Sequence, residues 1–538
     1  MRRFLLLTGL VLTLVAACVV VVANRQSLPS SFPSLLVQRI RPGENTDLAN
    51  RGDWTRLTVR AAGYVPRIKW ISSGEGFPSR LMLAAADPAW HRAAAWKRHN
   101  APRLIMLGFD GMTDRLFREG LARHELPAFE ALLERGAVGR LHTCCEANSP
   151  VVWSTIYSGM PPEKHGIEGF VTRAEKTGEP IMYTWRQVRV PRLWDILLQR
   201  GQKSVLANLL LLNPVQDAVG LFPDLTGRVL TIWKRIFRVH PRLTVVYHRE
   251  SDYVSHQWWH DYDPAPFRAA GWSIDPEEIE FDGPRLAQAY RNLDIWVAAA
   301  LVMAGPDTIV LINSDHGFGD AIYSDRAVLA NGSELTRLTA PPGFRSCGMA
   351  PAGEVLFCAD PQTNPRFFAD QLRQARTPAG GLLFAKVEDR SQPEFDDGGS
   401  RLVAIHAYFN PRVMKDSFEN DQPILIGERN IFARSFLFRA TTSGDHRDEG
   451  LIFLAGAGIR PGATFAANAS VYDVMPTALA ILGLPIARDM PGRVLNEVFV
   501  TPPQPTYLAT YGGLTTERAD QPASPRDLEA LRTLSYLN

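Results

Sequence analysis

Five short segments of the sequence carry carboxylate, imidazole or hydroxyl side chains at spacings that suit metal binding or nucleophilic chemistry. They are GFDG at 108–111, NSP at 148–150, SDYVSH at 251–256, NSDHG at 313–317 and GDH at 444–446. Singly, each is more often structural, because Asp-Gly favours a turn, Ser-Pro favours a helix start and an Asp/His pair is usually a salt bridge. Together they offer the oxygen and nitrogen ligands that two divalent ions require, with positions left for water and substrate. No cysteine belongs to the set, so a structural zinc finger is not indicated.

The local spacing in three of these segments supports that interpretation. Asp252 and His256 are four residues apart, so they lie on one helix face or across one turn and reach the same cation. Asp315 and His316 directly follow an apolar run, where two adjacent polar side chains need partners. Ser149 stands before a proline, which predicts a helix N-terminus, and the positive end of a helix dipole binds phosphate well.

Apolar runs of strand length alternate with helical patterns along the chain. The predicted strands are Leu104 to Phe109, Ser204 to Ala207, Leu243 to Tyr247, Thr308 to Ile312 and Leu451 to Leu454. The predicted helices are Arg115 to Arg135, Arg192 to Arg200, Arg285 to Met303 and Val471 to Leu482. This alternation predicts an α/β sandwich with a mostly parallel central sheet flanked by helices. Functional groups gather at the carboxyl ends of such strands, and Asp110, Asp252 and Asp315 fall at or just past three of them.

We expect four regions along the chain. They are an anchor or signal segment at 1–25, a stalk or lead-in with few strand signals at 26–100, a catalytic domain at 101–500 and a C-terminal tail at 501–538. Residues from about 320 to 440 are rich in Pro, Gly, Asp and Ser, and strand alternation returns only near Leu402 to Tyr408. We interpret this stretch as an insertion that caps the sheet edge, rather than as an independent domain.

Composition excludes several classes of protein. The chain has 538 residues, 46% of them apolar and 21% charged, which is ordinary globular composition and not that of a disordered, collagen-like or coiled-coil protein. The net charge of +2 and the lack of long Lys/Arg runs give no reason to expect nucleic-acid binding. Five cysteines in this length exclude a disulfide scaffold. Cys347 and Cys358 are candidates to pair, and the alternative is that all cysteines in the body of the chain are free.

The N-terminus has the pattern of a membrane anchor. Arg2 and Arg3 precede 20 residues, Phe4 to Ala23, of almost unbroken apolar character. A helix of about 20 residues rises about 30 Å and crosses a bilayer, and the positive-inside rule then places the bulk of the chain outside the cytoplasm. We therefore expect a membrane-anchored protein whose catalytic domain is periplasmic or extracellular. A signal peptide cleaved after Ala23 and a lipoprotein box ending at Cys18 are the alternatives.

The ordered motifs resemble the alkaline phosphatase superfamily and, within it, the type I phosphodiesterase/nucleotide pyrophosphatase family. The resemblance covers about residues 103–320 and 440–498, and includes FDG, NSPVVWSTIYSG with PPEKHGI, SDYVSH, SDHG, GDHRDEG and the tail NASVYDVMPTALAILGLP before DMPGR. It implies that one metal is held by Asp252, His256 and His446. The other would be held by Asp110, Asp315 and His316, with Oγ of Ser149 completing its shell.

The same resemblance implies the chemistry. Ser149 would be the nucleophile, forming a phosphoseryl intermediate that water then hydrolyses. Two divalent ions would clamp the attacking and leaving oxygens, and Zn²⁺ fits the His/Asp ligands best. The expected activity is that of a phosphodiesterase or pyrophosphatase. The alternatives are a phosphomonoesterase, a transferase of phospho-groups in the cell envelope, and a non-catalytic member that binds metal or ligand.

Substrate contacts are less constrained by the motifs. Arg173 and Lys176 are candidates to hold a phosphate, as are Arg186 and Arg189. Trp258 and Trp259 follow His256 closely and could stack on the substrate, or instead anchor a loop to the core. Nucleotide-cleaving members of the family place an Asn roughly 20 residues after the nucleophile, where this chain has Phe170, so the substrate class stays open. Sulfatases need a Pro two residues after their modified residue, whereas here Pro directly follows Ser149. A sulfatase is therefore disfavoured.

Overall fold

The computed structural model describes residues 34–40, 46–73, 75, 78, 80–145, 148–173, 180–210, 225–270, 272–322, 328–346, 354–360, 362–389, 402–439 and 442–514. The anchor predicted at Phe4 to Ala23 and the candidate substrate contact Lys176 lie outside these ranges, as does most of the predicted C-terminal tail. Within the described ranges, no helix combines the length and the apolar character needed to cross a bilayer.

The segment before the central sheet forms two small sheets and a helix. Its elements are β1 (Leu35–Arg39), β2 (Thr46–Arg51), β3 (Trp54–Val59), β4 (Arg67–Ser72), β5 (Arg80–Ala84) and α1 (Pro88–Ala94). β1 pairs with β5, and β2, β3 and β4 form an antiparallel meander. The sequence predicts few strands in this lead-in, whereas the structure forms five. The difference arises because the meander mixes Thr and Arg with apolar residues, which weakens the strand pattern. In addition, β1 and β5 pair across a long sequence separation, which leaves no local signal.

Strands and helices alternate through the central part of the chain. The elements are β6 (Leu104–Phe109), α2 (Asp114–Ala122), α3 (Pro127–Leu133), β7 (Gly136–His142), α4 (Ser149–Ser158), α5 (Pro162–His165), β8 (Val171–Arg173), β9 (Pro180–Met182), α6 (Leu193–Leu198), β10 (Ser204–Ala207), α7 (Leu225–Val239), β11 (Leu243–His248), α8 (Glu250–Tyr262), α9 (Pro264–Ala269), α10 (Pro276–Asp282), α11 (Pro284–Met303), β12 (Ile309–Asn313) and β13 (Gly317–Asp320).

The insertion and the C-terminal part complete the order. The insertion contains β14 (Val328–Ala330), α12 (Gly332–Thr339), β15 (Phe344–Ser346), β16 (Glu354–Ala359), α13 (Arg366–Arg373), β17 (Phe384–Asp389), β18 (Leu402–Phe409), α14 (Pro411–Asn420), β19 (Pro423–Ile426), β20 (Arg429–Phe432) and β21 (Leu437–Arg439). The chain continues with β22 (Gly444–Arg447), β23 (Glu449–Gly456), α15 (Val471–Ile481), β24 (Ile486–Ala487) and β25 (Tyr507–Leu508). Short 3₁₀ turns lie at Trp185–Gln187, Ala433–Ser435 and Asn496–Val498.

A six-stranded sheet lies at the centre, in the order β10-β11-β6-β12-β23-β7. β10, β11, β6 and β12 pair in parallel, and β23 pairs antiparallel with both β12 and β7. Only β23 therefore runs against the other strands of this sheet. The mixed, mostly parallel sheet with flanking helices confirms the predicted alkaline-phosphatase-like α/β class.

Both faces of this sheet are buried, which explains the continuous apolar runs. Successive side chains of β6 alternate: Ile105 and Leu107 join one core, and Leu104 and Met106 join the other. The first core is covered by α2, α3, α8 and α11, and the second by α4, α6 and α15. The helix predicted over Arg115 to Arg135 is two helices, because the chain takes φ +55° at His124 and α3 starts at Pro127.

The insertion between β13 and β22 builds an apolar core of its own. A four-stranded sheet, β15-β16-β18-β17, packs with α12, α13 and α14 around residues such as Phe357, Phe368 and Ile405. At its base β13 and β22 pair, and Phe318 lies opposite His446. The alternation seen near Leu402 corresponds to β18, but the other insertion strands pair over long separations that the sequence pattern does not reveal.

The cysteines divide into two groups. Cys358 is disulfide-bonded, whereas Cys144 and Cys145 form no disulfide. The alternative in which all cysteines in the body of the chain are free therefore does not hold. Cys347, the predicted partner of Cys358, is not among the described residues.

Candidate active site

The five candidate segments meet at one edge of the central sheet. Asp110 follows β6, Asp315 follows β12, and Asp252 lies in α8 directly after β11. These three strands are parallel neighbours, so their carboxyl ends share an edge. β23 runs the opposite way and starts at that edge, which brings His446 of the preceding β22 to the same place.

A first cluster consists of Asp110, Asp315, His316 and Ser149. One ligand atom each from Asp110, Asp315 and His316 lie within 4.8 Å of one another. Ser149 Oγ donates a hydrogen bond to Oδ1 of Asp110 at 3.3 Å and lies 3.4 Å from Nε2 of His316. All four side chains are buried. The spacing allows one ion to contact this set.

A second cluster consists of Asp252, His256 and His446. Oδ1 of Asp252 lies 3.4 Å from Nε2 of His256 and 3.2 Å from Nε2 of His446, and the two Nε2 atoms are 3.0 Å apart. Asp252 and His256 are one turn apart in α8, as their spacing predicted. His316 Nε2 is also 3.9 Å from Oδ1 of Asp252, and His316 groups geometrically with Asp252 and His446 as well as with the first cluster. The two clusters are therefore adjacent.

His256 and His316 are oriented as metal ligands usually are. His256 Nδ1 lies 3.1 Å from the Gly444 carbonyl, and His316 Nδ1 lies 3.0 Å from the Gly317 carbonyl. A carbonyl only accepts, so each Nδ1 carries the proton and each Nε2 is left to face the clusters. Hydrogen bonding of the second ring nitrogen to a backbone carbonyl is the usual way in which proteins fix a ligating imidazole.

Positive charge stabilises the buried carboxylates of the two clusters. Burial, and then the neighbouring carboxylate of Asp110, raise the pKa of Asp315 well above its ordinary value. Burial alone would lower the pKa of His316, but Asp315 and Asp110 raise it to about 10. Burial and the adjacent His316 lower the pKa of His446 to about 4, so His446 is neutral and offers a lone pair. A proton on His316 offsets part of the negative charge that a cation would otherwise neutralise.

A further observation indicates that the ligands of the two clusters suit divalent ions. Oδ2 of Asp315 is buried and accepts no hydrogen bond from any residue that the structure describes, although Nε2 of His316 lies 3.4 Å away. A buried carboxylate oxygen without a hydrogen bond is costly unless a cation coordinates it. Imidazole nitrogens and carboxylate oxygens together are the ligands that borderline divalent ions such as Zn²⁺ prefer.

Two aromatic residues that the sequence analysis did not single out as functional hold Asp110. Trp153 Nε1 donates to Oδ2 of Asp110 at 3.0 Å, and the hydroxyl of Tyr247 donates to the same oxygen. Oδ1 is thereby left for Ser149. Trp153 is one helical turn after Ser149 in α4, and Tyr247 ends the apolar run of β11. Their only signal in the sequence is an aromatic donor near a strand end, which is too common to be specific.

Ser149 lies at the start of α4. The residue before it, Asn148, has the extended backbone of a cap position (φ −118°, ψ 109°), so Ser149 is the first helical residue rather than the cap. His165 supports this helix: its Nδ1 accepts from the Ile167 amide at 3.1 Å, and its Nε2 therefore donates to Oγ1 of Thr155 at 3.1 Å. The PPEKHG motif thus fixes the helix that carries Ser149.

The predicted substrate contacts form two groups, the aromatic residues after His256 and the arginines. Trp259 is buried and stacks on Phe318, and Trp258 is half-buried with the Arg285 guanidinium 4.1 Å over its ring. Both arrangements favour the alternative in which these aromatics anchor the loop. Arg173 ends β8, but its side chain is not among the described parts, and Arg186 and Arg189 are exposed.

Comparison with known proteins agrees with the resemblance seen in the motifs. The family model of type I phosphodiesterases/nucleotide pyrophosphatases matches residues 104–394. That range includes the segments with Asp110, Ser149, Asp252 and Asp315, and ends before His446. No curated protein matches the chain.

Proposed function

This chain belongs to the type I phosphodiesterase/nucleotide pyrophosphatase family of the alkaline phosphatase superfamily, and we propose from that premise that it cleaves phosphodiesters or pyrophosphates through Ser149 at a two-metal site. Members of the family are metal-dependent and hydrolyse phosphoric ester bonds, so the chain is a phosphoester hydrolase. The proposal adds the nucleophile, the number of ions and the diester preference.

The observation that carries the proposal is the position of the Ser149 hydroxyl. It is buried at the N-terminus of α4, 3.3 Å from Asp110 and 3.4 Å from His316, between a helix dipole and a ligand cluster. A phosphoryl group beside this hydroxyl meets the positive end of the helix. A serine with only a packing role would have no reason to face two buried charged groups.

The proposed ligands follow the two clusters. Asp252, His256 and His446 would hold one ion, and Asp110, Asp315 and His316 the other, with Ser149 Oγ next to the second. Bound divalent ions supply two things at such a site: they favour ionisation of a nearby hydroxyl and they neutralise charge on the transferred phosphoryl group. Zn²⁺ is the ion that we propose, from the mixture of imidazole and carboxylate ligands.

The residues of the chain then have definite tasks. Trp153 and Tyr247 orient Asp110, and Asp110 Oδ1 orients the Ser149 hydroxyl. Ser149 Oγ loses its proton to solvent and forms a bond to phosphorus, while the bond from phosphorus to the leaving oxygen breaks and that oxygen takes up a proton. Water then forms the new bond to phosphorus and releases a proton, the bond to Ser149 Oγ breaks, and Oγ recovers its proton.

The N-terminal segment supports a second part of the proposal. The apolar residues Phe4 to Ala23 suit a membrane anchor, with the catalytic domain outside the cytoplasm. The substrate of the catalytic domain would then be a phosphoester available on the outer side of that membrane.

A direct comparison of substrates tests the diester preference. Zinc-loaded full-length chain should cleave bis(p-nitrophenyl) phosphate faster than p-nitrophenyl phosphate, and Ser149→Ala should abolish both activities. Ser154→Ala is the matched control, because Ser154 Oγ donates to the Pro150 carbonyl within the same helix and has no other hydrogen-bond partner in the part of the chain that the structure describes. Faster monoester cleavage would favour a phosphomonoesterase, and metal binding without turnover of either ester would favour a transferase or a binding role.

A further inference from the structure

A third group of metal-type ligands lies outside the active site, at the far end of α8. One ligand atom each from His260, Asp261 and Glu278 lie within 4.8 Å of one another. His260 and Asp261 belong to the last turn of α8, and Glu278 belongs to α10. The backbone of Trp258 is non-helical (φ −124°, ψ 23°), so a kink separates this last turn from the turns that carry Asp252 and His256.

Asp261 is buried without a hydrogen-bond partner for one of its oxygens. Its side chain is 3% exposed, and Oδ1 accepts no hydrogen bond from the residues in the described ranges. Nε2 of His260 lies 3.6 Å from Oδ1, too far for a hydrogen bond and close to the separation of two ligands on one ion. A buried carboxylate oxygen in this state is costly unless a cation or a proton occupies the gap.

The surrounding charges leave a deficit of positive charge. Arg51 pairs with Asp275 at 2.8 Å and with Glu278 at 3.1 Å, and Arg285 pairs with Asp282 at 2.5 Å. Two guanidinium groups therefore face four carboxylates when Asp261 is included. Burial, and then the charges of Asp282 and Glu278, raise the pKa of Asp261 to about 7.

We propose that His260, Asp261 and Glu278 form a third divalent-cation site, separate from the active site. One imidazole and two carboxylates suit Zn²⁺ or another borderline transition metal better than Ca²⁺, which takes oxygen ligands in larger number. The ligands are partly open to solvent through Glu278, whose side chain is 38% exposed, so an ion has an entry path.

The site would join the active-site helix to the lead-in. Besides Arg51 of β2, Arg56 of β3 and Trp70 of β4 reach α10, with Arg56 Nη1 donating to the Glu280 carbonyl and Trp70 Nε1 to the Phe281 carbonyl. An ion shared by α8 and α10 would therefore fix the meander of the lead-in against the helix that carries Asp252 and His256. This role is structural, and no substrate contact is implied.

Zinc content tests the proposal on the full-length chain in detergent. Wild type, Glu278→Gln, Asp261→Asn and Asp275→Asn are dialysed against the same zinc buffer, and bound zinc per chain is measured by mass spectrometry. Asp275 is the matched control, because it also pairs with Arg51 but lies outside the ligand group and caps α10, as Asn would. The measurement compares variants with wild type, so it does not depend on how many ions the active site holds.

The proposed site predicts that Glu278→Gln and Asp261→Asn each bind one zinc fewer per chain than wild type, and that Asp275→Asn binds the same amount. Glu278 is more exposed than Asp261, so its variant keeps the test valid if Asp261→Asn fails to fold. Equal zinc in wild type and Glu278→Gln would overturn the proposal and leave a protonated Asp261 as the explanation of the unpaired oxygen. An equal loss in Asp275→Asn would also overturn it, because it would reflect general charge rather than coordination.

Discussion

Trp153 donates a hydrogen bond from Nε1 to Oδ2 of Asp110 at 3.0 Å, and thereby fixes the carboxylate whose other oxygen accepts from Ser149. The two residues come from different elements, α4 and the loop after β6. The helix that supplies the proposed nucleophile thus also positions a proposed metal ligand.

Replacing Trp153 by Phe keeps an aromatic ring and removes the N–H donor. We expect Trp153→Phe to lower kcat/KM about tenfold or more and to weaken metal binding, since loss of such a partner typically costs 10–100-fold. Tyr157→Phe is the control, because the Tyr157 ring stacks near Trp153 but its hydroxyl has no hydrogen-bond partner among the described residues. Steady-state kinetics at several zinc concentrations check this; equal activity of both variants would contradict the role of Trp153.

The close approach of Gly108 to Trp153 leads to a second prediction. A Cβ at Gly108 would lie 2.6 Å from Cη2 of Trp153, so Gly108→Ala must displace the indole. We expect a loss of about 1–3 kcal/mol in the free energy of unfolding, together with lower activity. In Gly513→Ala the new Cβ makes an ordinary 3.4 Å contact with a backbone oxygen, so that variant should match wild type in urea unfolding and in turnover. A wild-type profile for Gly108→Ala would show that Trp153 is free to move.

Asp315 should affect the metal-free and the metal-loaded protein in opposite directions. Without metal, Asp315→Asn removes a carboxyl group whose ionisation burial and Asp110 disfavour and which must take up a proton on folding, so the melting temperature of the chelated protein should rise. With zinc, the variant should gain less stability than wild type and lose activity, because a ligand is missing. Differential scanning calorimetry with and without chelator measures both effects. A lower melting temperature in both states would indicate that Asp315 has only a packing role.

His165 gives the stability a pH dependence. Burial lowers its pKa from 6.5 to about 4, so the unfolded chain binds a proton here more readily than the folded chain. The free energy of unfolding should therefore decrease as pH falls from about 6.5 to about 4, with a contribution of at most about 3 kcal/mol. His165→Asn keeps an acceptor for the Ile167 amide and removes the titration, so its stability should fall less over this range. Urea unfolding of both proteins at pH 7 and pH 5 makes the comparison, and parallel losses would exclude His165 as the cause.

The sequence predicts the strands that carry the site better than it predicts their surroundings. Leu104 to Phe109 is buried on both faces, so its apolar run is unbroken and the Asp that ends it stands out. Strand β3 buries only Leu57 and Val59, with Arg56 and Thr58 between and before them, and β2 has no fully buried residue, so neither strand shows a continuous apolar run. The break near His124 depends on a left-handed backbone that helical spacing does not report.

Within the site, too, the sequence predicts local spacing but not the contacts between distant elements. Asp252 and His256 are close in sequence, so their common helix face follows from spacing alone. The contacts of Asp110 with Trp153 and Tyr247 depend on how three elements pack, and no local pattern encodes them. The burial of Trp259 against Phe318 is likewise a tertiary result, and it changes the interpretation of a residue that the sequence leaves open.

The most direct test of the central claim is to trap the covalent intermediate. Zinc-loaded chain is mixed with a diester substrate, quenched in acid within one turnover and digested, and the peptides are analysed by mass spectrometry. The account predicts a phosphoryl adduct that retains one ester group on Ser149 of the wild type and Ser154→Ala proteins, and none on Ser149→Ala. An adduct on another residue, or full activity in Ser149→Ala, would contradict Ser149 as the nucleophile.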